Sequence, residues 1–453
     1  MRRALVGLGL AALALGCSKS SGGSATNTPG AAAGGATATA GAGGASTTAG
    51  AGGATAGSQG VSGAGGATAA GAGGASAAGA GGAPVAAQPC ALSLTKLVPL
   101  PKSSIAAKAR AFGPGVVATP TGFVVAVHEV AEDGSEDTLS LFPIAADGTV
   151  GATSTAKLSA CFGGYSDTGV GMTIRGGAGL AAVARPACKS GGENTGGSLS
   201  LVAFGAAGDV QDIFLLKGED PAFPELTIPT HRALAPVPGS SMWRISYLQG
   251  ARAYWFDASG ITPKGGFNLL ADKAARVVSA SSQNMLVQAA ELDGAIVVST
   301  TSAMAPAKSF TLSKGTGISL SPFPSGVVVA SRISASTVRL DTIDDSTNLV
   351  AQAQLPTPPL GVIDVAPVTK AVAIVVGDAK RVSVLVSTVP EPDLAPGITP
   401  VVDVDPSSPL VTSFDGKAIA AAGGSGRVAA VWLSTSSPDS SSPLGGVALF
   451  ECK

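Results

Sequence analysis

The chain is 453 residues long, only 13% of them charged, with a net charge of −1. That balance leaves no basic footprint for nucleic acid, which is excluded as a partner. Apolar residues make up 45% of the chain, yet no apolar run reaches the roughly 18 residues that a membrane-spanning helix needs.

Composition divides the chain before any motif does. Residues 1–89 hold 25 of the 63 glycines, no Asp or Glu, and only Arg2, Arg3 and Lys19 as charges. Residues 18–89 offer no large apolar side chains to offset the entropy of ordering, so no folded domain is expected there. Residues 90–453 are ample for a core of their own.

The first 16 residues read as an export signal. Met1-Arg2-Arg3 is a basic start, and residues 4–15 form an apolar stretch too short to cross a bilayer. The ending Leu13-Ala14-Leu15-Gly16-Cys17 resembles the lipobox of bacterial lipoproteins, departing from it in having Ala14 three residues before the cysteine. The resemblance implies cleavage before Cys17, lipidation of its sulfur and attachment to the membrane through the acyl chains. Each buried CH₂ of such chains contributes about 0.8 kcal/mol. Ser18, rather than Asp, after the cysteine resembles lipoproteins carried on to the outer membrane. The expected location is therefore the cell envelope, on an outer-membrane anchor facing periplasm or exterior.

Residues 17–89 follow as a tether. Gly-Ala-Gly-Gly-Ala recurs from Gly41, Gly50, Gly63, Gly71 and Gly79 at irregular spacing, which rules out a collagen repeat. Each interspersed glycine costs about 1 kcal/mol in a helix relative to Ala, so a flexible coil spanning about 45–50 Å is expected.

From Cys90 onward the pattern changes to short Val/Ile/Leu/Ala runs broken by Gly, Pro, Ser and Asp, which signals an all-β fold. The runs come in pairs, a shorter one and then a more hydrophobic one. The second members start at residues 123, 180, 242, 285, 327, 372 and 428. Further β runs and turns follow each pair, as at Asp147-Gly148 and Asp344-Asp345. Four antiparallel strands, seven times over, predict a seven-bladed β-propeller. The last unit lacks a fourth strand and a surplus run at 91–98 precedes the first. The N-terminal strand is therefore expected to complete the last blade.

Five cysteines are present. Apart from Cys17 they are Cys90, Cys161, Cys188 and Cys452, an even number suited to disulfides in an oxidising compartment. Three pairings exist; Cys90–Cys452, beside the closing strands, and Cys161–Cys188 are preferred.

Catalytic signatures are scarce. The two histidines, His128 and His231, read as strand-end polar residues, and no nucleophile elbow, zinc-protease helix or P-loop occurs. No metal site or cofactor is expected; were a cation held, it would be calcium at Asp133-Gly134-Ser135-Glu136-Asp137 or Asp403-Val404-Asp405. Trp243, Tyr247, Tyr254 and Trp255 concentrate aromatics in the third unit, as blade core or as a ligand patch. The favoured reading is a monomeric, non-enzymatic binding or scaffold module displayed on the envelope, with a protein or glycan ligand. A propeller enzyme, such as a metal-dependent hydrolase or lyase working in the central channel, and an outer-membrane assembly scaffold are the alternatives.

Overall fold

A computed structural model describes residues 91–105, 109–158, 170–185, 189–190, 193–194, 198–217, 229–313, 315–357, 362–369, 371–377, 381–388, 401–403, 419–433 and 443–453. The export signal, the tether, Cys90, Cys161 and Cys188 lie outside them.

The described residues form a seven-bladed β-propeller with four-stranded antiparallel blades and no helix. Strand β1 (Leu92–Pro99) comes first. Blade 1 is β2 (Ala109–Thr119), β3 (Gly122–Ala131), β4 (Asp137–Ala145) and β5 (Ser154–Lys157). Blade 2 is β6 (Gly171–Arg175), β7 (Ala178–Arg185), β10 (Ser198–Gly205) and β11 (Val210–Lys217), with a two-stranded insert of β8 (Lys189–Ser190) and β9 (Glu193–Asn194). Blade 3 is β12 (Pro229–Pro236), β13 (Met242–Gln249), β14 (Arg252–Ser259) and β15 (Thr262–Asp272); blade 4 is β16 (Ala274–Ser281), β17 (Met285–Leu292), β18 (Ala295–Ser302) and β19 (Lys308–Leu312). Blade 5 is β20 (Thr316–Phe323), β21 (Gly326–Ser334), β22 (Thr337–Asp344) and β23 (Leu349–Pro356); blade 6 is β24 (Val362–Val368), β25 (Ala371–Gly377), β26 (Arg381–Thr388) and β27 (Val401–Asp403). Blade 7 is β28 (Ile419–Gly424), β29 (Arg427–Leu433) and β30 (Gly445–Cys452), completed by β1 on its outer edge.

Alternation explains why the second strands are the most hydrophobic runs. Side chains of a strand point to opposite faces in turn, and a blade is covered on both faces. In β3, Phe123, Val125 and Val127 enter the core shared with blade 7, while Val124 and Ala126 enter the core shared with blade 2. All ten residues of β3 and all seven of β25 are buried. Six of the seven blade seams are filled by clusters of 11–16 buried apolar residues.

The first strands of the blades stand innermost. Each touches the next from β2 through β6, β12, β16, β20, β24 and β28, and β28 touches β2 again. A four-stranded meander ends on the side where it began, so every inner strand starts at the same end of the ring, here called the front. The tight turns into the second strands lie at the back.

Closure is made by β1, which runs antiparallel to β30 from Leu92 opposite Cys452 to Pro99 opposite Gly446. Behind this pair Trp432 is 2% exposed. A Cβ on Gly446 would stand 2.5 Å from its indole, so only glycine lets β30 pass that ring. Without β1 the outer edge of β30 would present unpaired backbone groups, a template for association. Deleting residues 91–99 is therefore expected to raise the mass read by light scattering; a truncated chain with the mass and stability of the full chain would show that β1 does not close the ring.

Candidate binding site at the front of the channel

Backbone irregularity concentrates at the front. Register shifts interrupt four of the seven inner strands near their first residues: between Phe112 and Gly115 in β2, Thr230 and Arg232 in β12, Ala274 and Arg276 in β16, and Thr316 and Ser319 in β20. Bulges bend a strand and re-aim its side chains, and they gather where a sheet must do more than pack. His231 is the bulged residue of β12.

The bulge in β20 has a visible chemical consequence. Gly317 adopts φ +59°, a left-handed conformation natural to glycine. Its N–H leaves the ladder and donates to Oε2 of Glu291, on β17 of blade 4, at 2.8 Å. Glu291 stands directly opposite Arg276 of β16, so the two side chains share one face of blade 4. Arg276 is half-buried and feels the charges of Asp364 and Glu291, although burial acts against its own charge more strongly than they favour it. Among the described residues neither a hydrogen bond nor an ion pair reaches its guanidinium.

Asp364 of β24 ties three blades together at the same end. It accepts a hydrogen bond from the Ser319 hydroxyl of blade 5, one from the Val365 N–H at 2.9 Å, and one from the Ala421 N–H of blade 7 at 2.7 Å. Burial pushes its carboxyl above the usual carboxylate range, against those hydrogen bonds and the Arg276 charge, which pull it down. On blade 1, Glu129 is held in a comparable way by the Ser103 hydroxyl, the Ser104 N–H at 3.1 Å, the Ser104 hydroxyl at 3.2 Å and the Ser140 hydroxyl at 2.6 Å. The front carboxylates are thus positioned by neutral donors, while Arg276 keeps a free planar fork of N–H groups.

Other polar groups serve as locks between or within blades. The blade 3–4 seam has only five buried apolar residues in its cluster. Within blade 3 Arg244 grips both oxygens of Asp257, at 2.8 and 3.0 Å, and lies 3.6 Å over the Trp255 ring; across the seam it donates to Gln288 of blade 4 at 3.3 Å. Gln288 continues the chain to Ser246 at 2.7 Å, and Ser246 meets Ser279 at 2.9 Å. In blade 5, Arg339 and Asp341 form a buried pair at 2.8 Å.

The aromatics of the third unit, read from the sequence as blade core or as a ligand patch, are engaged as follows. Trp243 and Tyr247 are 6% and 1% exposed and belong to the core shared with blade 2. Tyr254 packs against that core and stacks on Tyr247 with ring centroids 5.9 Å apart. Trp255 is covered by Arg244. Side chains on a strand between two blades are claimed by the seams, so aromatics there become core.

His128 likewise is buried, its Nε2 2.8 Å from Oδ1 of Asp137. Asp133 closes a turn by accepting from the Ser135 N–H and hydroxyl at 2.9 and 2.6 Å, and those bonds hold its carboxyl below the ordinary range. Of the second acidic stretch, Asp405 lies outside the described residues, as does Val404. At the back, a cavity of about 430 Å³ opens between blades 1 and 2, lined by Thr119, Thr121, Phe123, Pro143, Thr149 and Ala206 among others; no charged residue lines it.

Sequence reasoning missed Arg276, Glu291, Asp364 and Ser319. The available signal was charge inside apolar inner runs: Asp364 interrupts a run from Ile363 to Val368, in a chain with little charge to spend.

A carboxyl whose pKa is raised by folding binds its proton more tightly in the folded state. Stability then falls as pH rises from about 4, the unfolded value, through the raised folded value. Replacing Asp364 by Asn is expected to remove this slope, so the urea midpoint of Asp364→Asn should gain on the wild type as pH rises through that window. A difference independent of pH would show that Asp364 titrates as it does in the unfolded chain.

No family model matches the chain, and no characterised protein sequence matches it. Among solved structures, the polysaccharide lyase Uly1 is similar at 8% identity and TM-score 0.47, over 75% of this chain and 90% of its own. The PQQ-bound aldose sugar dehydrogenase of Streptomyces coelicolor is similar at 9% identity and TM-score 0.41, over 81% and 100%. The fucose-recognising six-bladed lectin of Aleuria aurantia is similar at 12% identity and TM-score 0.38, over 66% and 97%.

Proposed function

We propose that the chain is a lipid-anchored binding module of the cell envelope: acylated Cys17 in the membrane, residues 18–89 as reach, and the propeller as a rigid non-enzymatic platform with its site at the front of the channel. The observation that carries this reading is the role of β1. The strand that follows the tether is an integral edge of the closing blade, so an anchored N-terminus holds the ring through its own sheet rather than through a loose end. Outer-membrane attachment, facing periplasm or exterior, follows from the lipobox-like ending and Ser18.

The clasp belongs to the same proposal. It assigns a disulfide to Cys452, at the end of β30. The Lys453 N–H donates to the Ala91 carbonyl at 3.0 Å and Leu92 stands opposite Cys452. Cys90 precedes Ala91 directly, and we assign the partnership to it, leaving Cys161 for Cys188. A link closing so long a loop contributes up to about 5 kcal/mol by chain entropy.

Two measurements test these assignments. Cys17→Ser should abolish labelling by radioactive palmitate and move the protein from the membrane to the soluble fraction; unchanged fractionation would refute the anchor. Non-reducing peptide mapping should recover a Cys90–Cys452 peptide, and a peptide joining Cys90 to Cys161 or to Cys188 would refute the clasp.

A further inference from the structure

The front of the channel holds a donor and an acceptor that the fold leaves unused, side by side. Arg276 and Glu291 are cross-strand neighbours on one face of blade 4, where opposed Cβ atoms lie about 5 Å apart. Such a pair ordinarily closes into an ion pair, and this one does not. Glu291 is turned toward Gly317 by the bond at Oε2, and no hydrogen bond among the described residues reaches its Oε1. The guanidinium of Arg276 is equally without a hydrogen-bonding partner among them. On the Cβ side of Gly317 itself the space is open, since a Cβ added there would meet nothing within 4 Å.

We propose that this gap is a binding site for a neutral polyhydroxylated ligand, a sugar, whose neighbouring hydroxyls accept from Arg276 and donate to Glu291. The inference rests on the reading of the front as a binding site and names what it takes. Charge selects the ligand class. Glu291 stands directly opposite Arg276, so an anion drawn to the guanidinium would have to lie beside a carboxyl group that gives it no donor. A group that only donates would leave the guanidinium unanswered, and one that only accepts would leave Oε1 unanswered. A hydroxyl does both, and a vicinal pair suits the two-pronged fork of an arginine. Asp364, already holding three donors from blades 5, 6 and 7, fixes the wall of the site rather than the ligand.

The test uses the detergent-solubilised full chain and a panel of glucose, galactose, mannose and N-acetylglucosamine, with glucuronate as the anionic comparator, followed by saturation-transfer NMR and titration. At least one neutral sugar is expected to bind. Arg276→Lys, which keeps the charge and loses the fork, and Glu291→Gln, which turns an acceptor-only group into an amide, should each weaken that sugar at least tenfold with an unchanged urea midpoint. If Arg276→Lys disturbs the fold, Glu291→Gln decides alone. Failure of every neutral sugar to bind would overturn the proposal, as would variants that bind like the wild type, or glucuronate binding more tightly than glucose in a salt-sensitive manner. Membrane release of Cys17→Ser is read separately, so loss of the sugar site and loss of the anchor cannot be confused.

Discussion

The pairing of β1 with β30 is the contact on which the rest of the ring depends. It joins residues about as far apart in sequence as the domain allows; Thr95 donates to the Leu449 carbonyl across 354 positions. Closing a flexible loop of that length costs about 5 kcal/mol on the logarithmic scale, so the pairing forms readily only after the intervening blades have brought its partners near. The blades themselves are local meanders with short turns, which need no such help. Order of formation therefore runs from hairpins to blades to ring, and the clasp comes last. Once made, it covers the edge of β30 and puts Leu92 into the core that Phe450 shares with blade 6.

Seam chemistry is uneven, and the unevenness has a physical meaning. Six seams have large apolar clusters, which volume and alternation suffice to fill, with single polar ties at the rim. The seam between blades 3 and 4 instead relies on the Arg244–Asp257–Gln288–Ser246–Ser279 chain. A buried network of this kind adds little net stability over an apolar seam, because desolvation offsets the Coulomb attraction. Its directional bonds demand one register between the two blades, which an apolar surface does not. Cutting such a network at one member leaves the others buried and unsatisfied, and that loss far exceeds the value of any one bond.

Much of the fold was legible because blades repeat the same solution to burial. Second strands covered on both faces are apolar at most positions, so they stand out in the sequence, and the starts at 123, 242, 285 and 428 fall within one residue of β3, β13, β17 and β29. The long spacing between the first and second units includes no extra blade; the small β8–β9 insert lies within blade 2. The candidate site was illegible for the opposite reason. Arg276 and Glu291 are 15 positions apart and Asp364 is far beyond both. Only register and ring order bring them to one mouth, and the turn of Gly317 that orients Glu291 depends on a bulge with no sequence signature of its own. The aromatic cluster was visible but ambiguous, since Trp243 and Tyr247 have the same spelling whether a neighbouring blade covers them or not.

The two ends of the ring differ in how much freedom the backbone retains. At the back, the inner strands run straight into tight turns, and each turn is fixed by the hairpin it closes. At the front, the inner strands begin after connections from a neighbouring blade, and register can slip there without breaking the hairpin. A slip of one residue turns side chains to the other face, which is how a strand otherwise committed to two apolar seams can deliver a charged group toward the axis. The anchored reading adds a directional load. Tension arriving from the tether enters β1 at Leu92, where an antiparallel ladder would otherwise peel one bond at a time. The disulfide proposed for Cys452 would lie at that same end of the ladder. If its partner is Cys90, tension passes through a covalent bond before it reaches any hydrogen bond of β1. The blades, and the front site that they form, then remain unstrained however far the tether is drawn out.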